Sequence, residues 1–175
     1  MSWSLRSPVQ VLKRTLAKFK PTTPSMNEFV VELPMFAPPT RRVERVFIHC
    51  SASDAHNSVA TIRMWHKLRG FRDIGYHYFI DREGMIHAGR DIEEVPAAQE
   101  GHNQKTLAVC VDGLSNFTPE SLLALSKFCH SIHEAYRDVG KRVTFHGHRE
   151  VNPHKTCPVF DYKTLLGLNE RGEIV

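Results

Sequence analysis

WHKLRGFRDIGYHYFIDREGMIHAGRD, residues 65–91, sets a helical periodicity beside a strand periodicity, and that juxtaposition decides the fold class. Trp65 and Leu68 recur with Ile62 at helical spacing, so residues 61–68 read as a helix presenting these three side chains to a core. An apolar, aromatic run follows from Tyr76 to Ile80, and a second apolar run from Met85 to Ala88. Asp81-Arg82-Glu83-Gly84 lies between them, the pattern of a β-hairpin. Upstream, Val46 to Cys50 reads as a buried strand, and downstream Leu107 to Val111 reads as another. Thr118-Pro119-Glu120 opens a long helix whose Leu122, Leu125, Cys129, Ile132 and Tyr136 share a face. Residues 142–145 read as a further strand, and Asp161 as the cap of a short last helix. Strands and helices interleaved in this way predict a single α/β domain over residues 42–175, with a central mixed β-sheet flanked by helices.

Residues 1–41 read as an appendage to that domain. Ser7-Pro8 is a helix start, and Val9, Leu12, Leu16 and Phe19 then recur at helical spacing beside Lys13, Arg14, Lys18 and Lys20. Such a basic amphipathic helix either lies on an anionic membrane or docks its apolar stripe on the domain. Pro21, Pro24, Pro34, Pro38 and Pro39 make the stretch after it an extended connector, within which FVVEL reads as an edge strand. Residues 1–20 hold five basic side chains and no acidic one, so of the net +4 they supply +5 and the rest of the chain sums to −1. The domain itself shows no basic stripe interleaved with aromatics, which argues against direct nucleic-acid binding.

A chain of 175 residues with 41% hydrophobic and 24% charged content fits one soluble domain, expected here as a monomer. No apolar run approaches the roughly 20 residues that span a bilayer. Arg6, Lys13, Arg14 and Lys18 interrupt what would be the apolar core of a secretory signal, so synthesis and retention in a cytoplasm are expected. Thiols stay reduced there. Cys110 and Cys129 sit in apolar or helical patterns and read as small core residues, and Cys50 reads as packing on the strand face opposite His49.

The chemistry concentrates in VFIHCSAS (46–53) and HGHREVNPHKTCP (146–158). Two imidazoles and the Cys157 thiolate make a three-ligand set that leaves a fourth tetrahedral position open for water, the arrangement of a hydrolytic zinc site. Taken alone, His49 fits a core histidine as readily as a ligand. His146 and His148 share a face of any extended segment, so periodicity does not choose between them.

VFIHCSAS, the 65–91 stretch and HREVNPHKTCP occur in an order and spacing that resemble the zinc N-acetylmuramoyl-L-alanine amidases, over roughly residues 43–168. The likeness is nearest to short phage endolysins of the T7 lysozyme type, with animal peptidoglycan recognition proteins further off. The resemblance implies that His49, His148 (directly before Arg-Glu-Val) and Cys157 hold Zn2+, and that Tyr76 and Lys155 are catalytic partners. Lys155 would place positive charge beside the oxyanion, and Tyr76 would donate a hydrogen bond or relay a proton. His77, on the other strand face, reads as a hydrogen-bonded supporting group. The implied reaction is hydrolysis of the bond between N-acetylmuramic acid and L-alanine in peptidoglycan, used by a phage for lysis from the host cytoplasm outward to the cell wall.

Two other readings stand beside this one. Muropeptide-recycling amidases are related, but they carry Asp where this chain has Cys157. Some relatives bind peptidoglycan without cutting it, and the T7 type also binds and inhibits its phage RNA polymerase. A purely binding protein needs no open metal site, so His49, His148, Cys157 and Tyr76 together favour an enzyme. Ala97-Ala98 stands where relatives often carry a histidine, and DGLSNFTPE is shorter than its phage counterpart. Both departures fall in loops expected to meet substrate.

Overall fold

Val46, Phe47 and Ile48 have no polar side chain to turn toward water, and the chain buries them in the middle of its sheet. The computed structural model describes residues 36–175; the basic amphipathic segment, the FVVEL strand and connector residues 21–35 lie outside the described residues. In chain order the elements are β1 (Arg45–Cys50), α1 (Val59–Leu68), β2 (Tyr78–Ile80), β3 (Ile86–Ala88), β4 (Thr106–Val111), α2 (Pro119–Asp138), β5 (Thr144–Gly147), a 3-10 turn (His148–Glu150) and α3 (Tyr162–Leu166). Among the described residues the sheet has five strands in the order β3-β2-β4-β1-β5. Only the β2–β3 hairpin is antiparallel, so the sheet is mixed as expected.

Alternation along the central strands gives each face its own helix. Val46, Ile48, Leu107, Val109 and Val111 pack with Leu125, Phe128, Cys129 and Ile132 of α2 in the larger core. Phe79 and Cys110 point the other way and meet Ile62 of α1 and Ile74. By the same alternation His49 belongs to the α1 face. Parallel strands buried on both sides read in sequence as unbroken apolar runs, which is why β1 and β4 were legible there.

Capping follows the sequence closely. Thr118 accepts from Ser121 N–H at the start of α2, Ser58 from Thr61 N–H at the start of α1, and Asp161 from Thr164 N–H at the start of α3. Three expectations shift. Leu68 is 79% exposed, because α1 packs through Ile62 and His66, four residues apart, and Leu68 projects away from that line. Leu122 is half-buried, and the buried face of α2 runs instead through Ser121, Ala124, Leu125, Phe128, Cys129, Ile132 and Tyr136. The last strand begins and ends two residues later than the 142–145 pattern suggested, because its pairing with β1 sets Phe145 against Val46 and Gly147 against Ile48.

The packed unit extends back beyond Arg42. Phe36 is 8% exposed and lies against the rings of Tyr78, Phe128 and Tyr136. Arg41 donates to the carbonyls of Ile92 at 2.6 Å and Thr106 at 2.9 Å. Among the described residues no helix is long and apolar enough to cross a membrane.

Gly75 marks the closest backbone approach beside the hairpin. Ala97 N–H donates to Gly75 O at 3.0 Å, and a Cβ on Gly75 would stand 2.2 Å from Ala97 O. Gly75→Ala is therefore expected to push the 97–103 loop off the hairpin and cost about 1–3 kcal/mol, as overpacking does. Urea unfolding followed by circular dichroism measures it, and an unchanged midpoint would show that the loop yields freely.

Candidate metal centre

β1 and β5 are parallel neighbours, so their C-terminal ends open on the same edge of the sheet. That edge is where open α/β sheets bind ligands. His49 is the fifth residue of β1 and 1% exposed, while His148 is the first residue beyond β5. Cys157 returns to them on the following loop, which Arg149 closes by donating its backbone N–H to Cys157 O at 2.7 Å. One donor atom from each of His49, His148 and Cys157 lies within 4.8 Å of the others. His49 is buried and the other two are half-buried, so the set faces solvent on one side.

His146 does not join it. Its Nδ1 pairs with Glu150 Oε2 at 2.7 Å and its Nε2 with Thr144 Oγ1 at 2.7 Å. The two histidines would share a face only on one continuous strand, and β5 stops at Gly147, where the chain turns into the 3-10 segment. The turn separates what periodicity could not.

Cys50 lies closer to the site than packing alone would place it. Its backbone N–H donates to Cys157 Sγ at 3.1 Å. Alternation describes side chains within a strand, whereas at the strand's end the 157 loop wraps over the edge and meets the free amide. Cys110 and Cys129 are fully buried core residues.

Burial drives the His49 ring down to about 3, with His148 adding to the effect and the Gln99 hydrogen bond opposing it. His148 is lowered by burial and by the charge of Lys155. Both rings are thus neutral at physiological pH and hold lone pairs for a metal. The neighbouring Cys50 thiol, then burial, push the Cys157 thiol up, so the thiolate needs a cation beside it. Two imidazoles and one thiol on a half-open edge fit zinc, which takes such mixed nitrogen and sulfur sets.

Tyr76 packs between the tilted rings of His49 and His66, with centroids 5.1 Å and 5.2 Å away. Burial, followed by the three thiols of Cys110, Cys157 and Cys50, raises its phenol well above the usual value, so it stays protonated. Lys155 is exposed on the loop two residues before Cys157, close enough for its charge to act on His148. His77 is a supporting residue: Nδ1 accepts from Ala108 N–H at 3.0 Å and Nε2 meets Glu94 O at 3.0 Å.

Two neighbours of the site escaped the sequence reading. Gln99 is fully buried with Oε1 3.1 Å from His49 Nε2. A lone glutamine in a loop carries no pattern, and its only signal is its place directly after the unusual Ala97-Ala98. Asp112, at the end of β4, accepts from Ser51 Oγ at 2.8 Å, Asn57 N–H at 2.9 Å and Arg82 Nε at 3.1 Å. It pins the loop that follows His49.

The sequence model described as N-acetylmuramoyl-L-alanine amidase matches residues 39–160. The endolysin of Enterobacteria phage K11 is 35% identical over 148 residues, covering 78% of this chain and 93% of that protein. The endolysin of Escherichia phage T7 is 36% identical over 137 residues, covering 73% and 87%. Among solved structures, the N-acetylmuramoyl-L-alanine amidase LysC from Clostridium intestinale superposes with a TM-score of 0.63 at 22% identity, covering 77% of this chain and 89% of that one. That likeness concerns the fold.

Proposed function

The chain belongs to the N-acetylmuramoyl-L-alanine amidase family, and from that premise we propose that it is a zinc-dependent phage endolysin that cuts peptidoglycan between N-acetylmuramic acid and L-alanine. The observation that carries this reading is the convergence of His49, His148 and Cys157 at the open edge of the sheet. In this reading those three residues hold the metal. A zinc ion there supplies Lewis-acid polarisation of the scissile carbonyl and activates a water for attack near neutral pH.

The chain's own residues supply the rest. Tyr76, kept protonated by burial, donates its phenolic hydrogen to the oxygen that gains charge. Lys155, exposed at the rim, brings a positive charge to the same side of the bound substrate. The phage K11 and T7 endolysins match over 93% and 87% of their own length, which supports a role in lysis, with the enzyme held in the host cytoplasm and then acting on the wall.

Digestion of purified peptidoglycan, followed by mass analysis, tests the reaction. Free stem peptides bearing an L-alanine amine and intact glycan strands are expected. Activity should disappear with a chelator and return with added zinc. Release of glycan fragments, or full activity in chelator, would overturn the reading.

A further inference from the structure

We propose that Gln99 is a positioning residue that fixes the tautomer of His49, so that Nδ1 already presents a lone pair to the metal before the metal binds. This role rests on the reading of His49 as a ligand. A count of protons carries it. Thr106 Oγ1 donates its single hydrogen to Asn103 O at 2.7 Å, so toward Gln99 it can only accept. The end of the Gln99 amide that meets Thr106 Oγ1 at 2.8 Å is therefore the NH2 group. The His102 carbonyl, 3.5 Å from the same nitrogen, asks for a donor as well. The amide oxygen is left 3.1 Å from His49 Nε2, and that oxygen accepts. Nε2 must carry the ring hydrogen. In the neutral ring Nδ1 then holds the lone pair, and Nδ1 is the nitrogen on the Cys157 side, 3.9 Å from Sγ.

The scaffold around Gln99 is tied down at several points, which makes the selection of one tautomer firm. Asn103 Oδ1 accepts the backbone N–H groups of Ala98 and Gln99, each at 3.0 Å. Thr106 opens β4, pairs in register with Arg45 of β1 and is held by Arg41 through its carbonyl at 2.9 Å. A buried acceptor on the far nitrogen of a metal-binding histidine orients the ring and strengthens its donor atom, and losing such a partner typically weakens metal binding about 10- to 100-fold. Leucine at position 99 would leave Nε2–H unpaired in a dry site and remove the bias between tautomers.

The test uses the full chain as wild type, Gln99→Leu and Gln99→Glu. Nitrogen NMR of metal-free protein with labelled histidine reads the His49 tautomer, and competition with a chromogenic chelator reads zinc affinity. Wild type is expected to show the Nε2–H form. Gln99→Leu should lose that preference and bind zinc about 10- to 100-fold more weakly, whereas Gln99→Glu, which keeps the acceptor for Nε2–H but loses the NH2 donor to Thr106 Oγ1, should keep the Nε2–H form and bind zinc more tightly than Gln99→Leu and less tightly than wild type. If Gln99→Leu does not fold, the wild-type tautomer and the Gln99→Glu affinity decide. An Nδ1–H ring in wild type, or equal zinc affinity in wild type and Gln99→Leu, overturns the role of Gln99. A wild type that binds no zinc overturns the ligand reading and this role with it, a result distinct from zinc binding that is indifferent to Gln99.

Discussion

Cys157→Ser is expected to strip the protein of zinc and abolish hydrolysis. A neutral hydroxyl replaces the one anionic donor among three ligands, and the loss should exceed the roughly 10- to 100-fold that removing an outer partner of a ligand costs. The thiol is also tied into the edge of the sheet through the Cys50 N–H bond at 3.1 Å, a contact that a serine oxygen reaches less well. Zinc content after dialysis and turnover on peptidoglycan are the measurements. His146→Ala serves as the control and should keep its zinc, because that ring is held by Glu150 and Thr144. Full zinc and full turnover in Cys157→Ser would sink the ligand set.

Lys155→Ala and Tyr76→Phe are expected to fold, to bind zinc as wild type does and to lose turnover. Each removes a group whose interaction grows as charge develops on the carbonyl oxygen, and such losses run to roughly 100- to 1,000-fold in rate. Tyr76→Phe keeps the ring that packs against His49 and His66 and removes only the hydroxyl, so packing is preserved. Lys155 is exposed, so its truncation leaves no buried partner stranded. The readouts are zinc content, thermal midpoint and kcat measured side by side. Wild-type rates with both variants would leave the metal as the only catalytic group.

The amino-acid sequence by itself determined most of the elements and, through the family resemblance, pointed to His49, His148 and Cys157 as candidate ligands. Apolar runs at Val46 to Cys50 and Leu107 to Val111 read as buried strands and Thr118-Pro119-Glu120 as a helix start, and both readings hold because burial and local hydrogen bonding favour them. His49 and Cys157 were legible through motif and residue chemistry. Three matters were left to the tertiary structure. The choice of His148 over His146 on geometric grounds needed the end of β5, since alternation is blind to where a strand stops. The approach of Cys50 to Cys157 needed the loop that wraps over the sheet edge. Gln99 needed the fold to bring it against His49, fifty positions away in the chain. Periodicity reports what a residue does relative to its own neighbours along the chain; partners across loops are set by packing, which no local pattern encodes.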